Sequence, residues 1–264
     1  MTNDELKAQF DDQGYVQLKD LFSEQEVDRL RQDIEAAGRN LDEESALNQG
    51  QMVFLSNLFL KSEALQRFVC QDKLVEVLAR IIGPDFWVRW DQCVCKGPGA
   101  PEFPWHQDNA YNELLDAHFQ LWVAVTPTTR DNGGLWLSPG SHKRGLLPHH
   151  KVGTHQMADE TPQAAVLVEA QKGDVVLFSS LMLHHTKANV SLHDRWAYVI
   201  EYMHIDHFDP YVKAPYLIAA ENGAPAQRFV TSYPGAASLR NQVKYHGLGG
   251  TAKRLLKAAL GAKH

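Results

Sequence analysis

A histidine and an aspartate stand two residues apart in His106-Gln107-Asp108, and a doublet, His184-His185, and then Arg195 follow far downstream. Side chains alternate sides along an extended chain, so His106 and Asp108 share a face and Gln107 points away. Two imidazoles and one carboxylate on a triangular face leave the other positions of an octahedron open, which suits ferrous iron and dioxygen. Arg195 adds a planar, permanently charged fork that can grip a carboxylate. The third ligand stays open at this level. His184 and His185 are neighbours, so only one of them faces inward, and if it is His184 then Thr186 faces inward too. A His-x-Asp tripeptide alone is more often a simple hydrogen-bonding pair than a metal site, so the surrounding elements must carry the reading.

Those elements are mostly short strands. From Trp87 to about His204, β-type runs such as Val166-Leu167-Val168, Asp174–Phe178 and Trp196–Ile200 are separated by Gly, Pro, Asn and Asp. Asp131-Asn132-Gly133-Gly134 and Ser138-Pro139-Gly140 read as turns. The pattern predicts a mainly β fold with flanking helices and a double-stranded β-helix core, a jelly roll of the cupin-like kind. Ser23-Glu24-Gln25-Glu26 is a capping box that opens a helix carrying Val27, Leu30 and Ile34, with Gly38 as its stop. A second helix is expected from about Asp72 to Ile81.

The expected organisation is one domain over residues 1–264. Residues 1–86 form a helical buttress with a first strand, 87–204 the jelly-roll core, and 205–264 an extension. That extension ends in a short basic amphipathic helix at 251–261. On strand parity, Gln92 and Lys96 face the same side as Val94 and can reach an interior cavity. Arg195 opens a strand expected to fold back beside the histidines, among apolar neighbours that suit a paired, partly buried arginine. His142, His149, His150, His204 and His207 lack the strand spacing of ligands.

Composition excludes several classes. A net charge of -6 gives no electrostatic reason to expect nucleic acid or an anionic membrane as a partner. Three cysteines make neither a CxxC pair nor a disulfide framework, which points to a reducing compartment. The opening MTNDELKAQF lacks the apolar core of a signal peptide, and no run of about 18 apolar residues occurs. The expectation is a cytoplasmic protein acting on a small molecule, its oligomeric state open. Lys143, Arg144 and the His149-His150 pair suggest a basic rim that would favour an anionic substrate.

Over residues 10 to 204 the chain resembles the phytanoyl-CoA dioxygenase family of Fe(II)/2-oxoglutarate-dependent oxygenases. The resemblance rests on GYVQLKDLFSEQEVDRL, KGPG, FPWHQD, LWVAV, DNGGLWLSPGSHKRG, GDVVLF and LHHTKANVSLHDRWA. It implies a facial triad of His106, Asp108 and His184, because the family arginine lies eleven positions beyond its second ligand histidine, the interval from His184 to Arg195. It further implies that Arg195, Thr186 and Trp122 contact 2-oxoglutarate, with Lys96 and Gln92 as weaker candidates, and that Tyr111 and Asn109 lie on the substrate side. The implied reaction couples dioxygen to decarboxylation of 2-oxoglutarate, giving succinate and carbon dioxide, with ascorbate as the reductant in vitro. Hydroxylation of a small metabolite is the leading outcome. Desaturation, epoxidation or ring formation would use the same cofactor chemistry, and a non-catalytic metal-binding jelly-roll sensor is the alternative from another class.

Overall fold

The computed structural model describes residues 3–39, 46–49, 51–233, 235, 243–244 and 247–252. Two sheets face each other. The larger runs in the order β1 (Tyr15–Leu18), β11 (Val175–Ser179), β6 (Phe119–Ala124), β13 (Arg195–His204), β4 (Phe86–Lys96), β14 (Tyr216–Glu221) and β15 (Ala224–Val230). The far half of β4 also pairs with β3 (Met52–Ser56), and β3 with β2 (Ala46–Gln49). The smaller sheet is β10 (Val166–Val168), β7 (Leu135–Leu137), β12 (His184–Thr186) and β5 (Phe103–His106). A separate hairpin joins β8 (His149–Val152) to β9 (His155–Ala158).

Strand parity sorts the side chains into two cores. Leu121, Val123, Val175, Leu177, Tyr198 and Ile200 point away from the smaller sheet. They pack under α1 (Asn3–Gln13), α2 (Glu24–Gly38), α3 (Glu63–Val69) and α4 (Asp72–Ile82). Their sequence neighbours Trp122, Ala124, Val176, Phe178 and Ala197 point the other way, toward Leu135 and Leu137 of the smaller sheet. Central strands buried on both faces therefore read as unbroken apolar runs, as in Val175–Phe178. The capping box at Ser23 is present, with Glu26 N–H donating to the Ser23 hydroxyl at 3.3 Å and Ser23 N–H to the Glu26 carboxylate at 2.8 Å.

Three expectations change. The main sheet takes β1 and β3 from before residue 87 and the β14–β15 hairpin from after residue 204, so the sheet outgrows the 87–204 core. Leu217, Ile218 and Ala219 are buried, and their run of apolar residues between polar turns is what lets this stretch join the sheet rather than stand outside it as an extension. Arg195 and the histidines do not lie on adjacent strands: β12 belongs to the smaller sheet and β13 to the larger, so the intervening turn crosses the sandwich. Asn189, fully buried, ties that crossover. Its Nδ2 donates to the carbonyls of Lys96 and His193, both at 2.8 Å, and its Oδ1 accepts from Ser191. Residues 247–252 are helical, and the rest of the helix expected at 251–261 lies outside the described residues. Among the described residues, no helix is long and apolar enough to cross a membrane.

Candidate active site

His106 ends β5 and His184 begins β12, and the two are direct cross-strand partners in the smaller sheet. Directly opposed residues on one sheet face bring their side chains together, and the two imidazole centroids are 4.1 Å apart. Asp108 lies not on the strand but in the first position of a 3-10 turn, Asp108–Tyr111. The intervening Gln107 keeps an extended backbone, φ -119° and ψ 136°, so the predicted two-residue parity still holds across the strand end. His106 Nε2 is 3.5 Å from Asp108 Oδ1, and His184 Nε2 is 3.7 Å from Asp108 Oδ2. Donor atoms of the three lie within 4.8 Å of one another.

Several contacts hold this geometry. Gln107, fully buried on the opposite side, donates to the carbonyls of Gly145 and Leu181 and accepts from Leu147 N–H. Its own N–H donates to His149 Nε2 at 3.1 Å. Each site imidazole is oriented through its other nitrogen, as is usual for metal-binding histidines: His106 Nδ1 donates to the Pro104 carbonyl at 2.8 Å and His184 Nδ1 to the Met182 carbonyl at 2.9 Å. Both Nε2 lone pairs are then left to face Asp108. Burial, and then the neighbouring His106, lower the His184 pKa to about 4, so it is neutral at pH 7. Burial disfavours the Asp108 anion, and only positive charge on His184 and His106 would draw the carboxyl below its ordinary range; with the rings neutral, a bound cation takes that part. Asp108 Oδ2 is buried without a hydrogen-bond partner. A buried carboxylate oxygen without a donor, facing two basic nitrogens, fits a divalent cation.

His185 faces the other way, stacked on Trp105 with centroids 4.0 Å apart. Burial lowers its pKa to about 4, so it packs as a neutral ring.

One cavity of about 490 Å³ is lined by His106, Asp108 and His184 together with Arg195, Trp122 and Thr186. Arg195 is 2% exposed, and its Cζ lies 5.9 Å from the Trp122 ring centroid. Its Nε has no partner, and among the described residues no carboxylate forms an ion pair with it. The expected paired arginine is thus unpaired. Burial draws its pKa down to about 10, so the guanidinium remains charged. A buried, uncompensated cation beside a cavity calls for an anionic ligand.

The softer expectations divide. Gln92 lines the cavity and donates to the Ser56 hydroxyl at 2.8 Å. Lys96 is fully buried but does not line it, because its Nζ is anchored on the Thr186 hydroxyl at 2.9 Å and on the Lys187 carbonyl. Tyr111 lines the cavity, whereas Asn109 turns away to the Leu114 and Asp116 carbonyls to shape the loop. The basic rim is absent as such. Lys143 pairs with Asp12 at 2.7 Å, Arg144 with Glu160 and His150 with Asp159 at 2.5 Å. Sequence reasoning missed Arg89, Gln120 and Glu201, which line the other end of the cavity. Parity could have found two of them, since Gln120 shares a face with Trp122, and Glu201 with Arg195.

The family model described as phytanoyl-CoA dioxygenase matches residues 10–197, well over half of the chain. The probable alpha-ketoglutarate-dependent hypophosphite dioxygenase of Stutzerimonas stutzeri is 26% identical over 225 residues, 76% of this chain and 79% of that protein. The peroxisomal phytanoyl-CoA dioxygenase of Mus musculus is 24% identical over 215 residues, 70% of this chain and 63% of that one. The solved structure of the non-heme monooxygenase ThoJ aligns with a TM-score of 0.72 at 21% identity, covering 97% of this chain and 99% of its own, a likeness of fold. The matched segment contains the whole His106, Asp108, His184 and Arg195 constellation, and the chain belongs to the phytanoyl-CoA dioxygenase family of Fe(II)/2-oxoglutarate-dependent oxygenases.

Proposed function

We propose that His106, Asp108 and His184 are the protein ligands of the ferrous ion and that Arg195 binds the distal carboxylate of 2-oxoglutarate. The observation that carries this reading is that the three-donor cluster and a buried guanidinium without a counter-ion line one cavity. When bound, the iron and 2-oxoglutarate supply the oxidative chemistry, which consumes dioxygen and releases succinate and carbon dioxide as the substrate is oxidised. The chain's own residues bind, orient and exclude water. Nδ1 donation to backbone carbonyls holds both imidazoles in the tautomer that presents Nε2. Arg195 provides charge and a two-pronged fit to a carboxylate. Trp122 walls the cation, and Phe178, 5.0 Å from the His184 ring, keeps that side of the cavity apolar.

The substrate reading is a small metabolite, most simply hydroxylated. Desaturation, epoxidation or ring formation would need the same residues and differ in where the substrate's carbon lies. The size of the cavity and the neutralised rim favour a small molecule over a thioester with a phosphorylated tail. We take residues 1–264 as one catalytic domain, because strands from both ends of the chain pair with the core strands. We place it in the cytoplasm on the strength of its three free thiols, Cys70, Cys93 and Cys95.

The test is release of succinate from 2-oxoglutarate with Fe(II), ascorbate and air. Wild-type protein should turn over well above Asp108→Ala and Arg195→Ala. Wild-type turnover equal to the Asp108→Ala background, with metal still bound, would favour the non-catalytic sensor.

A further inference from the structure

The cavity has a second polar end. Arg195, Ala197, Val199 and Glu201 share the inward face of β13, and at about 3.3 Å per residue Glu201 lies roughly 20 Å from Arg195. Arg89 and Gln120 line the cavity beside Glu201. Arg89 Nη1 donates to Glu201, Arg89 Nε to Asp209 Oδ2 at 2.6 Å, and Gln120 Nε2 to Glu201 Oε1 at 3.0 Å. With the Asn112 amide turned to accept from Arg89 Nη2 at 2.9 Å, all three guanidinium nitrogens are engaged.

The cluster is short of one positive charge. Two carboxylates share one guanidinium, and among the described residues no second Lys or Arg reaches either of them. The remaining neighbour of Glu201 is His118 Nε2 at 3.4 Å, and burial lowers the His118 pKa to about 4, leaving that ring neutral at pH 7. An excess negative charge in a largely buried wall is costly unless something pairs with it. A second observation is independent of charge. Gln120 is 2% exposed, and its Oε1 accepts no hydrogen bond. Both features ask for the same partner, a cationic group that carries N–H. Trp90 and Tyr111 also line the cavity, and aromatic rings attract cations.

Resting on the iron and 2-oxoglutarate reading above, we infer that the substrate bears a protonated nitrogen, an ammonium or guanidinium, that docks at Glu201 and Gln120. Its carbon skeleton then spans toward His106, Asp108 and His184, with 2-oxoglutarate held at the Arg195 end. Arg89 is excluded as an anchor for an anionic substrate, because its charge is already more than matched.

The experiment uses protein loaded anaerobically with Fe(II) and 2-oxoglutarate. Calorimetry compares pentylammonium, pentanol and pentanoate as probes. Pentylammonium should bind about tenfold or more tighter than pentanol, the scale of one hydrogen bond to a charged group, and pentanoate weaker than both. Glu201→Gln should abolish that preference with 2-oxoglutarate affinity retained. Gln120→Leu should weaken pentylammonium severalfold and carries the test if Glu201→Gln melts. Pentanoate binding as tightly as pentylammonium, no pentylammonium binding at millimolar concentration, or a preference that survives in both variants overturns the inference. Failure of 2-oxoglutarate itself to bind in these samples would overturn the earlier reading instead.

Discussion

His106 and His184 face each other across adjacent strands and are fixed by the same device, each Nδ1 donating to the carbonyl two residues before it. Neither ring depends on a carboxylate for its orientation. The tautomer is written into the backbone of β5 and of the residues leading into β12, so the two Nε2 atoms converge on Asp108 before any ion arrives. Preorganisation of this kind comes from strand register.

That register separates His184 from its neighbour in a testable way. Removing an outer partner of a metal ligand commonly costs about 10–100-fold in metal affinity, so if His184 is a ligand as proposed, His184→Ala should cost at least about 100-fold. His185→Ala should leave metal affinity within a few-fold and instead lower stability by about 1–3 kcal/mol, because a buried ring stacked on Trp105 is lost. Titration with Co(II) and thermal melting separate the two effects. A His185→Ala protein that loses metal but melts normally would reverse the assignment.

Arg195 should be indispensable for the co-substrate but not for the metal. Truncating one side of a buried charge pair typically costs about 2–5 kcal/mol, so Arg195→Ala should weaken 2-oxoglutarate binding by about 100-fold or more. Arg195→Lys should recover little of it, since an ammonium cannot make two parallel hydrogen bonds. Isothermal titration of 2-oxoglutarate into the metal-loaded variants decides. Near wild-type affinity in Arg195→Ala would move the carboxylate site elsewhere.

The parity rule read the site well where the chain is extended and buried. It put His106 and Asp108 on one face, because alternation survives even as β5 gives way to a turn, whereas Trp122 came from the family resemblance alone. It stopped short where long-range pairing decides. Nothing local shows that Arg195 crosses to the other sheet, since that depends on Asn189 binding the Lys96 carbonyl from ninety-three residues away. Nor can a sequence show that Lys143 and Arg144 spend their charge on Asp12 and Glu160. Lys96 was placed on the correct face, but its reach is taken up by the strand carrying Thr186.

Lys96 is therefore expected to act on the cavity at one remove. Lys96→Met removes the charged donor to the Thr186 hydroxyl and to the Lys187 carbonyl, which should lower stability by about 1–3 kcal/mol. It should weaken 2-oxoglutarate less than about tenfold, far less than Arg195→Ala, because no carboxylate partner is lost. Melting curves and the same calorimetry measure both. A loss as large as that of Arg195→Ala would mean that Lys96 grips the co-substrate directly.

Asp91 is wholly buried behind the sheet, where it accepts from the Tyr198 hydroxyl at 2.5 Å and Phe59 N–H at 2.9 Å. Burial raises its pKa from 3.8 to about 7, against the pull of those two donors. A raised carboxyl pKa means that the folded protein holds its proton more tightly than the unfolded chain does. The stabilising contribution is then complete below the unfolded pKa near 4 and is lost as pH climbs toward 7. A tenfold difference in proton affinity is worth about 1.4 kcal/mol, so the loss can reach a few kcal/mol across that window. Asp91→Asn keeps a neutral group of the same shape and removes the titration, so its melting temperature should vary less than that of wild type between about pH 4 and 7. The opposite result, a wild-type melting temperature that rises through this window and a variant that follows it in parallel, would show that the folded protein does not hold the Asp91 proton across this range.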